Sequence, residues 1–151
     1  MAIKEGAKAP KIELMDDAGN PFELSSLMGK SVVLFFYPKA NTSGCTIEAA
    51  EFRDAESTFE KKNAVIVGIS PDKAVEQVSF KTKLGLPYVL LCDTHHSVAD
   101  AYEVWKEKTM YGKKFMGIER TTFIIDAEGK IAKIFHRVKP EGHAAQVLAA
   151  L

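Results

Sequence analysis

Apolar residues follow two alternating patterns along this chain. Short, almost continuous apolar runs at Val32 to Tyr37, Ala64 to Ser70 and Tyr88 to Cys92 are typical of strands that are covered on both faces. The segments Thr46 to Lys62 and about Lys73 to Leu84 instead mix apolar and charged residues at helical spacing. Because strands and helices alternate, the pattern predicts a sheet whose central strands run parallel.

Breaker residues mark the boundaries of the two predicted helices. Ala49, Phe52 and Phe59 fall on one face of the first helix, and Asn63 is its predicted stop. Pro71-Asp72 is predicted to open the second helix, because a proline at the first helical position gives up no hydrogen bond. The first helix is therefore expected to place one apolar face on the sheet.

Antiparallel elements flank this alternating centre. The first is a small hairpin, in which the turn Asp16 to Asn20 joins Lys11–Met15 to Pro21–Leu24. The second pairs Thr121–Ile125 with Lys130–His136. The remaining predicted elements are a helical turn that Ser25 or Ser26 caps and Gly29 ends, a short helix from Ser97 to Tyr102, and a last helix from about Gly142 to Leu151.

The order of these elements predicts an α/β fold, namely a thioredoxin-like sandwich with a mixed central sheet and an extra N-terminal β-hairpin. A single domain over residues 1–151 is expected, since a chain of 151 residues buries a substantial core without disulfides. In such sheets, functional sites gather beyond the carboxyl ends of the strands. Cys45 follows the end of a predicted strand, so it lies where a site is expected.

Composition and charge narrow the possible functions. Hydrophobic residues make up 46% of the chain and charged residues 26%, which is typical of a globular protein. The 20 basic and 20 acidic residues cancel, so neither nucleic acid nor an anionic membrane is an expected partner. No apolar stretch approaches the roughly 20 residues that cross a bilayer, and Met1 to Gly6 lacks the layout of a signal peptide. Two cysteines exclude a disulfide scaffold, and a cytoplasmic protein with reduced thiols is expected.

The most informative motif is Pro38-x-x-x-Thr42-x-x-Cys45. It lies between a predicted buried strand and a helix predicted to begin around Thr46, so Cys45 stands at a helix N-terminus. Unpaired backbone N–H groups and the positive end of the helix dipole favour the thiolate over the thiol at such a position. The motif therefore predicts an environment for sulfur chemistry.

This motif resembles the active-site signature of the peroxiredoxins, the thiol-dependent peroxidases. The resemblance extends over essentially the whole chain, and the segment from Trp105 to Gly117 is similar to the bacterioferritin comigratory protein (PrxQ) subfamily. Other matching segments are Gly6 to Pro10, Phe35 to Lys39, Gly68 to Ser70 and Gly117 to Asp126. The resemblance implies reduction of hydrogen peroxide and organic hydroperoxides, with no metal and no bound cofactor.

The resemblance also assigns roles to individual residues. Cys45 matches the peroxidatic cysteine, Thr42 the hydroxyl that contacts peroxide, and Pro38 the residue that shields the pocket. Arg120 matches the arginine beside the sulfur. Glu48 stands where members of the subfamily often carry a polar residue that supports the site.

Ionisation of the sulfur explains only a small part of the expected rate. Full ionisation raises the thiolate concentration by at most about thirtyfold, and the accompanying loss of basicity weakens the nucleophile by roughly tenfold. Most of the acceleration must therefore come from donors that stabilise charge on the departing oxygen. The predicted donors are the Thr42 hydroxyl, the backbone N–H groups of Gly44 and Cys45, and Arg120, with Gly44 letting the backbone approach the substrate.

The sequence identifies the thiol that reduces the oxidised Cys45 less clearly. Many members of the subfamily carry a resolving cysteine five residues after the first, but this chain has Ala50 there, and no cysteine lies near Lys81, the other usual position. Cys92 is the remaining candidate. It either packs as a small hydrophobe among its apolar strand neighbours or acts as the resolving thiol. A one-cysteine cycle with an external thiol is favoured, and thioredoxin, glutaredoxin or a small thiol is the reductant that the resemblance implies.

Two rival functions and two oligomeric states remain open at this point. A thioredoxin-like dithiol oxidoreductase needs Cys-x-x-Cys, and Thr42 occupies the first position here. A redox-regulated chaperone or binding module could use the same fold without turnover. The resemblance allows a monomer or a weak homodimer.

Several other residues have structural interpretations. His95 and His96 are predicted to lie in a surface turn before a helix rather than in a metal site. Trp105 and Tyr111 are interpreted as packing residues, and the charge-rich segment from Lys106 to Lys114 as a solvated loop.

Overall fold

A computed structural model of the chain describes residues 3–151, so the first two residues of the segment considered for a signal peptide lie outside it. The strands are β1 (Glu13–Met15), β2 (Pro21–Glu23), β3 (Ser31–Phe36), β4 (Ala64–Ser70), β5 (Val89–Cys92), β6 (Trp105–Met110), β7 (Lys113–Ile118), β8 (Thr121–Ile125) and β9 (Ile131–Phe135). The helices are α1 (Ser43–Lys61), α2 (Ala74–Leu84), α3 (Ser97–Ala101) and α4 (His143–Ala149), with a 3-10 turn at Leu24–Leu27. Within residues 3–151, none of these helices combines the length and apolar character that a bilayer crossing requires.

The central sheet has five strands in the order β5-β4-β3-β8-β9. Strands β3, β4 and β5 run parallel, whereas β8 is antiparallel to β3 and β9 is antiparallel to β8. The strands β1 and β2 form the separate N-terminal hairpin. The predicted α/β class, with a mixed central sheet and an extra hairpin, is therefore confirmed.

Side chains of β3 alternate between two cores. Phe35 packs with the helices on one face, where its ring lies 4.7 Å from that of Phe52 on α1. Phe36 faces the other side, where it contacts Phe123 and Tyr102. Because both faces of the strand are covered, its sequence is a continuous apolar run rather than an alternating one.

The helix that carries the reactive motif begins earlier than its apolar pattern predicts. It starts at Ser43 rather than Thr46, with Thr42 as the extended residue before the first turn (φ −91°, ψ 158°). Cys45 therefore lies inside the first turn instead of preceding the helix. The end is as predicted, because Asn63 adopts the left-handed conformation (φ 57°) that stops a helix.

The second helix has nearly the predicted bounds, but Pro71 does not have its predicted role. It starts at Ala74, so Pro71 does not occupy its first position. The physical reason is that Asp72 is held elsewhere, accepting hydrogen bonds from the Ser70 hydroxyl at 2.7 Å and from the backbone N–H of Ala40 at 2.7 Å. The segment from Ser70 to Asp72 thereby braces the loop that leads to α1.

The predicted solvated loop from Lys106 to Lys114 is instead a two-stranded hairpin formed by β6 and β7. Long side chains on the two strands pair with one another across the hairpin. The number of charged residues alone does not indicate this pairing. Tyr111 lies in its turn and is 96% exposed, so the interpretation of this residue as a packing residue is wrong. Trp105 is at the base of the hairpin, where it stacks on His96 at 4.0 Å.

Candidate active site

Cys45 lies just beyond the carboxyl end of β3. The chain leaves this strand through Pro38, turns at Asn41, whose φ is 64°, and enters α1 at Ser43. Cys45 is the third residue of α1 and is only 1% exposed. Its sulfur thus lies in the first helical turn, where backbone N–H groups lack helical acceptors.

Arg120 places a cation directly against this sulfur. The residue immediately precedes β8, and its carbonyl accepts a hydrogen bond from the backbone N–H of Val138 at 2.9 Å. Its Nη2 lies 3.4 Å from Cys45 Sγ, and its Nη1 donates to Glu48 Oε1 at 2.8 Å. The planar guanidinium therefore links the sulfur to a carboxylate one helical turn further along α1.

Glu48 is a buried carboxylate with one oxygen in use. The residue is 1% exposed, and within residues 3–151 its Oε2 has no hydrogen-bond partner. Burial raises the pKa of Glu48 to about 7, against the opposing effect of Arg120. Burial acts to lower the pKa of Arg120, but the attraction of Glu48 and Cys45 outweighs it, so the pKa of Arg120 is raised. The guanidinium therefore stays charged throughout the physiological range.

Gly44 lets the guanidinium reach the sulfur. A Cβ atom at this position would lie 3.1 Å from Arg120 Nη2 and 3.4 Å from Cγ of Pro140. The distance to Arg120 is tighter than ordinary van der Waals contact, and Arg120 has two partners that hold it in place. The absence of a side chain at Gly44 therefore lets Arg120 keep its position beside the sulfur without adjustment.

Thr42 lies at the exposed rim of the site with its hydroxyl proton engaged. Its Oγ1 donates to the carbonyl of Lys39 at 2.7 Å, since a carbonyl only accepts. In this arrangement the hydroxyl presents lone pairs to a ligand, so it is placed to accept a hydrogen bond from a peroxide O–H. This differs from the expectation that Thr42 donates to the departing oxygen.

A buried polar network behind the site was not anticipated from the sequence. Tyr37 donates to Gln77, and Gln77 Nε2 donates to the Ser70 hydroxyl at 2.9 Å, which in turn bonds Asp72. Asp72 holds the N–H of Ala40, as described above. The network connects α2 to the loop that precedes Cys45, and its members are too far apart in the sequence for a motif to reveal them.

His143 is a second residue whose position the sequence did not indicate. It is 1% exposed, and its Nε2 lies 2.7 Å from the hydroxyl of Thr122, two residues after Arg120. Its Nδ1 lies 2.9 Å from Gln146 Oε1, and burial lowers the pKa of His143. The neutral imidazole therefore fastens α4 to the strand that follows Arg120.

Cys92 has very different surroundings. It ends β5, is half-buried, and forms no disulfide. Burial, together with the negative charges of Asp17, Asp16, Asp72 and Glu76, raises the pKa of Cys92 to about 11. At neutral pH this cysteine is therefore a thiol.

A thiol in the first turn of a helix, in contact with an arginine on a thioredoxin-like sheet, defines a thiol-based oxidoreductase. The sequence model of the AhpC/TSA family matches residues 6–134. The chain belongs to this family, the peroxiredoxins. It is a thiol-dependent peroxidase, which takes a peroxide as substrate and a thiol as reductant.

Relatives match over the full length. Peroxiredoxin Bcp of Bacillus subtilis is 48% identical over 151 residues, which are 100% of this chain and 96% of the relative. A putative peroxiredoxin bcp of Coxiella burnetii is 46% identical and covers 100% of both chains. These similarities confirm the predicted resemblance to the bacterioferritin comigratory protein subfamily.

Two solved structures of this subfamily have the same fold as the chain. A mutant of PrxQ from Xylella fastidiosa superposes with a TM-score of 0.93 at 35% identity, covering 99% of this chain and 95% of that chain. The bacterioferritin comigratory protein of Xanthomonas campestris, described with alkyl peroxide reduction activity, superposes with a TM-score of 0.91 at 35% identity, covering 97% and 96%. The thioredoxin-like peroxiredoxin fold is therefore confirmed.

Proposed function

We propose that Cys45 is the peroxidatic cysteine and that the chain reduces hydrogen peroxide and organic hydroperoxides in a one-cysteine cycle. The observation that carries the proposal is the 3.4 Å contact between Arg120 Nη2 and Cys45 Sγ. A cation fixed there favours the thiolate and also lies where charge appears when the peroxide bond breaks.

The chemistry follows from this placement. The Cys45 thiolate attacks the terminal oxygen of a hydroperoxide, so that an S–O bond forms while the O–O bond breaks. The sulfur is oxidised to a sulfenic acid, and the other oxygen leaves as an alkoxide or hydroxide that takes a proton from solvent. In this step Thr42 orients the peroxide, Arg120 stabilises the departing charge, and Glu48 fixes the guanidinium.

Pro38 and Gly44 shape the space in which this happens. Pro38 is half-buried in the turn between β3 and α1, where it shields the approach to the sulfur. Gly44 leaves room for Arg120 and exposes its backbone N–H group in the first turn of α1. Both act through packing rather than through proton or electron transfer.

Return of the sulfenic acid to the thiol requires the first turn of α1 to open. Cys45 is 1% exposed, so the thiol of another molecule cannot reach its sulfur in the closed form. The start of α1 suits such opening, because the Thr42 side chain does not cap the helix and no acidic residue lies in the first turn.

An external thiol suits the cycle better than Cys92 does. With a pKa of about 11, roughly one Cys92 in ten thousand is a thiolate at neutral pH, and only the thiolate attacks sulfur. The subfamily's usual resolving position near residue 81 holds Lys81, whose Nζ pairs with Asp17 at 3.1 Å. The alternative cycle, in which Cys92 resolves the sulfenic acid, lacks a reactive nucleophile.

The same proposal covers the partners. Thioredoxin, glutaredoxin or a small thiol supplies the electrons, and the chain works in the cytoplasm as a monomer or weak homodimer. The Xanthomonas campestris relative is described with alkyl peroxide reduction activity, which supports organic hydroperoxides as substrates here. No bound cofactor is needed, because the sulfur itself carries the electrons.

The test is peroxide consumption by the intact chain with each of these three reductants in turn. Cys45→Ser is expected to abolish turnover with every reductant, whereas Cys92→Ser is expected to retain the wild-type rate. Loss of turnover in Cys92→Ser alone would support the two-cysteine alternative. Turnover that persists in Cys45→Ser would overturn the proposal, and absence of turnover in the wild type would favour a binding module.

A further inference from the structure

The β6–β7 hairpin directs one lysine toward the end of the hairpin where Arg120 lies. Lys108 pairs with Phe115, yet its side chain leans across Gly117, two residues further along β7. Its Cδ and Cε lie 3.4 Å and 3.7 Å from the position that a Gly117 Cβ would occupy. The chain continues from Gly117 through Glu119 to Arg120, so the Lys108 ammonium is carried in the direction of the active site.

The charges that act on Lys108 identify its surroundings. Burial lowers the pKa of Lys108, and the positive charge of Arg120 lowers it further. Cys45 and Glu119 oppose this effect. The groups that influence the ammonium are therefore the reactive sulfur, the arginine beside it and the neighbouring glutamate.

Among residues 3–151, Lys108 has no carboxylate partner, unlike Lys106 and Lys114 of the same hairpin. Lys106 pairs with Glu119 at 3.1 Å, and Lys114 approaches Glu107 at 3.9 Å. Within the part of the chain that the structure describes, no carboxylate oxygen lies within 4.0 Å of Lys108 Nζ. A half-buried cation near a second cation is unfavourable unless an anion compensates both. The anions that act on Lys108 are Glu119, which already pairs with Lys106, and the sulfur of Cys45 together with the charge that develops next to it.

We propose that Lys108 is a second cationic residue of the peroxide site, which stabilises the negative charge on the oxygen that departs from Cys45. The inference rests on the proposed role of Cys45 as the attacking sulfur. When the thiolate forms its bond to the terminal oxygen and the O–O bond breaks, the electron pair of that bond stays on the departing oxygen. Arg120 and Lys108 then face this charge together, and the product takes its proton from solvent.

The two cations differ in what they can contribute. Arg120 is fixed by Glu48 and forms a planar fork against the sulfur. Lys108 is a compact point charge on a long stem and is half-exposed, and no carboxylate of residues 3–151 forms an ion pair with it. The Lys108 side chain is thus able to move toward the departing oxygen as negative charge develops on it. Arg120, which is fixed, stabilises the thiolate before the reaction.

The test measures the second-order rate constant for oxidation of Cys45 by hydrogen peroxide and by an alkyl hydroperoxide in a stopped-flow instrument. Lys108→Met keeps the length of the side chain and removes its charge, and we expect the rate constant to fall by about tenfold. Lys108→Arg restores a cation and is expected to recover most of the rate. Lys113→Met, at the far end of the same hairpin, makes the same charge change and is expected to stay within about twofold of wild type.

The pH profile separates this role from a structural one. Because the pKa of Lys108 is lowered from 10.5, its contribution is present at neutral pH and is lost as the pH rises through that lowered value. Wild type should therefore lose rate on the alkaline side, whereas Lys108→Arg should not, since a guanidinium stays charged.

Each outcome decides the inference. Equal rates in Lys108→Met and Lys113→Met would overturn it, because both variants change the charge of the whole hairpin equally. An equal loss in Lys108→Met and Lys108→Arg would also overturn it, since that pattern reports packing rather than charge. Failure of the underlying proposal looks different, because Cys45→Ser would then keep its peroxidase activity whatever residue stands at position 108.

Discussion

The two cysteines of this chain occupy similar places in the fold and opposite electrostatic surroundings. Both follow the carboxyl ends of parallel strands, Cys45 beyond β3 and Cys92 at the end of β5. Cys45 lies in the first turn of a helix with Arg120 Nη2 at 3.4 Å from its sulfur. Cys92 lies among acidic side chains, and burial together with their charge raises its pKa to about 11.

The difference shows that a position at this edge of the sheet does not by itself determine the electrostatic surroundings of a thiol. Cys45 is the more buried of the two residues, so exposure is not the basis of the reactivity that we propose for it. What differs is the sign of the nearest charges and the presence of unpaired N–H groups. The predictions below change those charges or the contacts that position them.

The largest effect is expected from removal of the cation beside the reactive sulfur. Arg120→Ala should lower the rate constant for Cys45 oxidation by about a hundredfold or more, because a charged donor to the departing oxygen disappears. The loss should exceed the fall in thiolate fraction, measured on the same variant by ultraviolet absorbance. Arg120→Lys should restore little, since an ammonium cannot contact Cys45 and Glu48 as the fork does. A rate loss that equals the fall in thiolate would contradict the role assigned to Arg120.

The next largest effect is expected in the pH dependence of stability, because Glu48 is a buried carboxyl group. Its pKa is about 7 in the folded chain against 4.5 as the ordinary value, so the folded state binds more protons between these values. The stability from this group is fully present below about pH 4.5 and is lost as the pH rises through about 7. Between about pH 5 and about pH 8, wild type should lose roughly 2 kcal/mol more free energy of unfolding than Glu48→Gln.

Urea unfolding of both proteins at the two pH values measures this difference. Glu60→Gln, on the exposed side of the same helix, serves as the control and should keep the pH dependence of wild type. Identical pH dependence in wild type and Glu48→Gln would show that Glu48 is ionised throughout. The ion pair with Arg120 would then outweigh the burial of this carboxylate.

A smaller effect is expected at the glycine that admits the guanidinium. Gly44→Ala places a Cβ 3.1 Å from Arg120 Nη2, so the arginine must move away from Cys45. The rate of Cys45 oxidation should fall by about fivefold even though alanine favours a helix over glycine by about 1 kcal/mol. The oxidation rate and the thermal unfolding temperature, measured on the same variant, test whether activity falls without a loss of stability. An unchanged rate would mean that Arg120 adjusts without losing its contact to the sulfur.

The smallest effect is expected at Cys92. Glu76 is one of the acidic residues that raise the pKa of this thiol, so Glu76→Gln should lower that pKa slightly. The rate of Cys92 alkylation at mildly alkaline pH should rise by about twofold, since only the thiolate reacts. Peptide mass spectrometry reads the alkylation rate of each cysteine separately, with Glu60→Gln as the matched control. A rate that Glu76→Gln leaves unchanged would limit the cause of the raised pKa to burial and the aspartates.

The sheet and the position of Cys45 at its edge were predictable because their signals are local. Continuous apolar runs such as Val32 to Tyr37 identify buried strands, and the Pro38 to Cys45 motif carries its chemistry in eight consecutive positions. The position of Arg120 followed from resemblance alone. Its contact with Cys45 joins residues that are 75 positions apart, which spacing cannot show.

The details that the sequence did not predict depend on long-range contacts. Asp72 leaves its predicted helix because it bonds the loop at Ala40, and the charge-rich segment from Lys106 to Lys114 forms strands because its residues pair with one another. The buried partner of His143 is Thr122, which is 21 residues away. For Asp72 and the Lys106–Lys114 segment, contacts with distant residues override the conformation that the local sequence favours.

The most direct test of the central claim is mass spectrometry of the intact chain after one equivalent of peroxide, with a reagent that traps sulfenic acids. Trapping of a sulfenic acid on Cys45, with Cys92 unmodified and no link between the two, is the predicted result. An intramolecular bond between Cys45 and Cys92, or a trapped adduct on Cys92 alone, would contradict the account.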